Sequence, residues 1–132
     1  MLDNTITLSV DKANTGAPVS EVISRYEEFQ NRSTYIADDH SFASRHTLQV
    51  YRTFPQRSGN FRGQLKTNVK HTKDFSVPGV DGTNLVTPAL VDVNFSFPVG
   101  ISDADVIEMA QWVISFIDEN VRLLKVAKQL EI

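Results

Sequence analysis

Polar and apolar residues alternate one for one along Thr5–Val10, with Thr5, Thr7 and Ser9 on one side and Ile6, Leu8 and Val10 on the other. That is the period of a half-buried strand. The turn-forming run DKANTGAP follows, and Val19–Tyr26 predicts a return strand that completes an N-terminal hairpin. Ser33–Ala37 predicts a short strand ahead of a loop. In His46–Thr53, Leu48 and Val50 oppose Thr47, Gln49, Tyr51 and Thr53, and Pro55 and Gly59 then mark a longer hairpin turn. Over Phe61–Lys70 the two sides are Gly63, Leu65, Thr67 and Val69 against Arg62, Gln64, Lys66, Asn68 and Lys70. The run DFSVPGVDGTNLVTP, with two glycines and two prolines, predicts a long loop over Asp74–Pro88, a length that usually serves function or assembly. Leu90–Phe97 returns to strict alternation, Val91, Val93, Phe95 and Phe97 against Leu90, Asp92, Asn94 and Ser96.

From Pro98 the period changes. Pro98 and Gly100 end the last strand, Ser102 is a good N-cap, and Asp103 and Asp105 place negative charge in a first helical turn, where the helix dipole favours it. A helix is predicted to about Asp118, and a shorter one over Val121–Leu130 with Arg122, Lys125 and Lys128 toward solvent. The expectation is one α+β domain over residues 1–132, strand-rich to 98 and helical from 102. The first helix is apolar on several sides: Val106, Met109, Val113 and Ile117 form one stripe, Ile107, Ala110, Ile114 and Phe116 a second, and Trp112 points a third way. A surface helix needs one apolar stripe; a helix apolar most of the way round must be covered twice. The second cover is either another chain or the second helix folded across it.

Composition narrows the function classes. A chain of 132 residues can bury about two thirds of its unfolded surface. Its 41% hydrophobic and 22% charged content is that of a soluble globular protein. Absence of cysteine excludes disulfides, thiolate nucleophiles and zinc sites built on thiolates. The N-terminus lacks the basic start and apolar core of a signal peptide. No apolar run reaches the ~20 residues that span a bilayer, so no membrane partner is expected. There is no Gly-rich phosphate loop, serine elbow or usefully spaced carboxylate pair. Asp38-Asp39-His40 reads as a loop turn rather than an ion site, because adjacent loop residues rarely converge on one metal. No enzyme, no cofactor and no metal are expected.

Charge changes the picture most. The chain carries 13 Lys/Arg against 16 Asp/Glu, yet Arg45–Lys73 holds seven bases and no acid. On the predicted outer face, Thr47, Gln49, Tyr51 and Thr53 lie beside Gln64, Lys66 and Asn68, with Arg45, Arg62 and Lys70 nearby. Bases attract phosphates, amides read base edges and a ring stacks, so the combination points to nucleic acid. The competing reading is a solvated sheet face, which would ordinarily mix both signs of charge.

The order of elements, with AsnPheArgGlyGlnLeuLys at 60–66, AlaLeuValAspValAsnPheSerPhe at 89–97 and the capped SerAspAlaAsp at 102–105, resembles the coat proteins of single-stranded RNA bacteriophages of the levivirus type. The resemblance implies an N-terminal β-hairpin and a five-stranded antiparallel sheet followed by two α-helices, in an interlocked homodimer that builds an icosahedral shell. It implies genomic RNA on the sheet face, including a hairpin operator whose binding represses replicase translation. By position, the RNA-facing set is Gln49, Tyr51, Thr53, Gln64, Lys66 and Asn68, joined by Leu90, Asp92 and Asn94. Leu90 departs from the family, whose members carry there a tyrosine that stacks on a base. The dimer layer would use Val106, Met109, Trp112, Val113, Phe116 and Ile117. The protein would reside in the virion, and in the bacterial host's cytoplasm during assembly. The rival is a dimeric RNA-binding regulator that never assembles.

Overall fold

The computed structural model describes residues 2–131. Six strands run in chain order across one sheet: β1 Thr5–Val10, β2 Val19–Phe29, β3 Arg32–Ala37, β4 His46–Thr53, β5 Gln64–Pro78 and β6 Asn84–Pro98. Every neighbouring pair is antiparallel. The predicted N-terminal hairpin, β1–β2, is continuous with the sheet because β2 also pairs with β3. Its turn is closed by Asp11, whose carboxylate accepts the amides of Thr15 at 3.0 Å and Gly16 at 2.6 Å. Those amides hold the Asp11 carboxyl below the usual carboxylate range.

Direct cross-strand partners share a face, and successive residues alternate. The registers therefore separate two surfaces. One carries Ile6, Leu8, Ile23, Tyr35, Leu48, Val50, Leu65, Val69, Val91, Val93, Phe95 and Phe97; the other is polar. Tyr35 is fully buried, and its hydroxyl donates to the Asp3 carbonyl at 2.9 Å while accepting from Arg25 at 3.0 Å. Ile23 is the other buried apolar side chain among the described residues.

The long loop expected over Asp74–Pro88 is not a loop. β5 and β6 pair continuously from Gln64↔Pro98 to Pro78↔Asn84, whereas β4 accompanies β5 only as far as Lys73. Asp74–Pro88 thus projects past the sheet as a two-stranded arm. Its prolines are tolerated because the arm's strands have no outer neighbours to bond. The tip closes through Gly79 N–H to the Thr83 carbonyl at 2.8 Å and Thr83 N–H to the Asp81 carboxylate at 2.9 Å. At the opposite end β5 begins at Gln64, later than expected, because Gly63 adopts φ +103° against the backbone of Gln56. A Cβ there would lie 2.7 Å from the Gln56 carbonyl oxygen, so the turn requires glycine.

Helix α1 spans Asp103–Ile117 and α2 spans Asn120–Ala127. The Ser102 hydroxyl accepts the Asp105 amide at 3.2 Å, the expected N-cap. The helices meet each other and are fastened to the β1–β2 turn, where Asn120 donates to the Ala13 carbonyl at 3.1 Å and Asn14 donates to the Asn120 side chain at 3.1 Å and to the Asp118 carbonyl. Neither helix has a buried residue. α2 does not cover α1: it touches the end, where Arg122 donates to the Phe116 carbonyl at 3.0 Å and lies over the Phe116 ring. Trp112 remains 72% exposed and Met109 58%. No helix is long and apolar enough to cross a membrane among the described residues.

The accessible surface is 10440 Å² for a 14.8 kDa chain, against about 7,000 Å² for a compact monomer of that mass.

Candidate nucleic-acid interface

The polar face is built by β3 to β6. Thr47, Gln49, Tyr51 and Thr53 of β4 stand opposite Thr72, Lys70, Asn68 and Lys66 of β5. Across β5, Lys66, Asn68, Lys70 and Thr72 stand opposite Ser96, Asn94, Asp92 and Leu90 of β6. The expected grouping of these side chains is therefore what the register produces. Strand β3 adds Arg32 opposite Tyr51 and Thr34 opposite Gln49. The sequence reading does not include Arg32, Thr34 or Ser96 in this set. The alternation in Arg32–Ala37 carried the signal for the first two, but their pairing with β4 was needed to place them.

Hydrogen bonds order the face. Tyr51 donates its hydroxyl proton to Gln49 Oε1 at 2.7 Å, and Gln49 Nε2 reaches Thr34 Oγ1 at 3.4 Å. Asn68 Nδ2 donates to Asn94 Oδ1 at 2.7 Å. These bonds fix three amides and one ring in place before any ligand arrives. Between β4, β5 and β6 lies a shallow depression of about 260 Å³ bordered by Tyr51, Thr53, Lys66, Asn68, Asn94 and Ser96. Lys66 stands at its margin.

The run of seven bases does not gather on this face. Strand alternation sends Arg52 and Lys73 to the opposite side, and Arg57 lies in the turn before β5. Arg62, expected on the strand, is also in that turn, because Gly63 redirects the chain before β5 starts. Arg45 is committed to Asp74: its backbone amide donates to the carboxylate at 2.9 Å and its guanidinium lies 3.4 Å away. The amide first, then the guanidinium, hold Asp74 below the usual carboxylate range. Arg32 likewise faces Glu27 at 3.5 Å. Lys66 and Lys70 remain as the cations of the face outside any ion pair among the described residues, with Asp92 across the ladder from Lys70. Gln64 opens β5 with its Oε1 buried and without a hydrogen-bond partner. Leu90 is half exposed on the same face, opposite Thr72.

The Asp38-Asp39-His40 loop gathers no group of three or more metal-ligating side chains among the described residues. Asp39 instead reaches His46, at 2.5 Å.

Neither a protein family nor a curated protein matches the sequence. Solved structures do match. A virus-like particle of Beihai levi-like virus 32 superposes with a TM-score of 0.74 at 21% identity, covering 85% of this chain and 88% of that one. A virus-like particle of bacteriophage AVE019 gives 0.73 at 15% identity over 97% of this chain and 96% of its own. The bacteriophage EMS014 coat protein gives 0.55 at 13% identity over 89% and 74%. A six-stranded antiparallel sheet followed by two helices is thus the fold this chain shares with levi-like virus-like particles and a phage coat protein.

Proposed function

We propose that this chain is the coat protein of a levi-like RNA phage, a structural protein that dimerises, closes into an icosahedral shell and holds genomic RNA on its polar sheet face. The observation that carries the reading is the uncovered α1. In a fold shared with virus-like particles, this helix leaves Met109, Trp112, Val113, Phe116 and Ile117 exposed, with Val106 half-buried, and α2 does not shelter them. A water-soluble chain does not maintain such a surface alone. The occupant that fits is a second copy, because the chain offers the complementary surface itself: the apolar sheet face with Leu65, Val91 and Val93 exposed. Strand β6 is also a free edge of fifteen residues, a long template for pairing with the same strand of a second copy. Edge-to-edge pairing about a two-fold axis would bring the helices of each copy over the partner's sheet.

RNA binding follows from the polar face: Lys66 and Lys70 supply phosphate attraction, Asn68, Asn94 and Gln49 supply ordered amides, and Tyr51 supplies the ring. Repression of replicase translation through an RNA hairpin would require base stacking, and with Leu90 in place Tyr51 is the ring that β4 to β6 offer on this face. The protein would be found in the virion, and in the host bacterial cytoplasm while shells form.

Electron microscopy of the protein expressed alone in bacteria, with nucleic acid assayed in the purified material, tests the reading. Uniform round particles containing RNA are the expected result. Discrete dimers that bind RNA without forming particles would replace it with the non-assembling regulator, and particles free of RNA would remove the polar face from the account.

A further inference from the structure

At the root of the projecting arm, on the apolar face, four side chains form a chain of contacts that the coat reading does not use. Asp39 Oδ1 lies 2.5 Å from His46 Nδ1, and His46 Nε2 lies 3.0 Å from His71 Nε2. His40 Nδ1 accepts the His46 backbone amide at 3.1 Å. The tautomers follow from chemistry. A carboxylate only accepts, so His46 carries its proton on Nδ1; neutral His46 then accepts at Nε2, and His71 must donate from its own Nε2. Loop 38–45 is therefore held through Asp39 and His40 to β4, and β4 is held to β5 by a side-chain bond at the last residues they pair.

We propose that Asp39, His46 and His71 form a proton-operated clasp, closed at neutral pH, whose opening in acid frees loop 38–45 and loosens the root of the Asp74–Pro88 arm. One added proton is accommodated, since a His71 imidazolium still donates to His46 Nε2. A second must go on His46 Nε2, which sets two N–H groups nose to nose at 3.0 Å, and the pair separates. Around His71 the surroundings oppose a charge: Lys73 stands nearby, 3.8 Å from Asp39, the Arg45–Asp74 ion pair is satisfied internally, and β6 contributes only Val91 and Ala89 opposite His71 and Lys73, while the Asp39 carboxylate bonds to His46 instead. Lys12, from the β1–β2 turn, is a further cation felt by Asp39 but is held by Glu21 at 2.6 Å.

Burial first, then His46 and Lys73, lower the affinity of His71 for a proton. The sign is then fixed. The unfolded chain binds protons on this histidine more readily than the folded one, so stability is full above the ordinary value of 6.5 and falls as pH drops below it. Asp39, held low mainly by its bond to His46, acts in a separate window below 3.8.

The shell consequence rests on the coat reading; the clasp itself does not. The test is a histidine ring titration of the folded protein by NMR, with amide protection of His46 and His40 followed in the same samples. The expected result is protonation of His71 below the ordinary histidine range, with protection falling about tenfold or more once both rings are charged, the equivalent of one pKa unit. His71→Gln keeps a neutral donor to His46 Nε2 and cannot charge, so its protection should persist until the carboxylates protonate. Protection that survives with both rings charged in the wild-type protein, or loss of protection at the same pH in both proteins, overturns the clasp. If particles form, light scattering through the same pH range should show wild-type shells loosening before His71→Gln shells. Identical scattering would overturn the link to the arm, while absence of particles at every pH would overturn the coat reading alone.

Discussion

Lys66 and Lys70 occupy alternate outward positions of β5 and are the polar-face cations outside any ion pair among the described residues, although Asp92 stands opposite Lys70. Lys66 borders the depression between the strands and has the neutral Ser96 opposite it, so its charge is directed to solvent. Lys66→Glu should therefore weaken binding of single-stranded RNA at every sequence tested and flatten its salt dependence by at least about 0.7 in slope, the value of one phosphate contact. Folding stability should move by no more than about 0.5 kcal/mol, as for other exposed substitutions. Fluorescence anisotropy across a salt series reads both quantities against a thermal melt. An unchanged slope would mean that RNA lies elsewhere. The face that Lys66 shares with Gln49, Tyr51, Thr53, Asn68 and Asn94 was legible in the alternation of three strands, since period two is enough to assign a side. What the sequence hid was the fate of its charges. Arg45 finds Asp74 across 29 positions of chain, and nothing local in either segment announces the pair. Arg62 is lost to a turn by the backbone of Gly63, which a residue-type pattern does not record.

At the scale of elements, the arm and the first helix were read with opposite success. Two prolines and two glycines made Asp74–Pro88 look like a loop, yet Phe75, Val77 and Leu85 keep the strand pattern. The prolines stay because this arm is edge on both sides, a property of the sheet rather than of the segment. Helix α1 was legible to within a residue because cap, first-turn acids and apolar content agree. Its several apolar stripes also pointed to two covers, and α2 supplies neither. Trp112 makes the consequence measurable. In a lone chain, a side chain 72% exposed can be cut to alanine at a cost within about 0.5 kcal/mol. Under a second copy, the same change removes a buried aromatic and costs about 3–5 kcal/mol. Trp112→Ala should accordingly yield at most partly folded monomers on a sizing column and no particles. Normal particles from this variant would remove Trp112 from the dimer layer.

The whole molecule carries the same deficit as an area. Its surface of 10440 Å² exceeds that of a compact monomer of equal mass by about 3,400 Å², so two chains together carry an excess of about 6,800 Å², well beyond a standard interface of about 1,600 Å² and in the class of obligate partners. Two buried apolar side chains, Ile23 and Tyr35, are too few to offset the chain entropy of a domain this size. On the coat-protein proposal, stability comes from association and folding is coupled to it. Under conditions that hold the protein below the assembly threshold, unfolding should also dissociate the dimer, and the melting temperature should depend on protein concentration. A tenfold increase contributes about 1.4 kcal/mol to the folded side, which for a unit of this size raises the midpoint by about 2–5 °C. Differential scanning fluorimetry over two decades of concentration, with sedimentation to confirm that no shells are present, gives the answer. A midpoint that does not move would mean that one chain stabilises itself, and the uncovered faces of α1 and of the sheet would then have to be explained without a second copy.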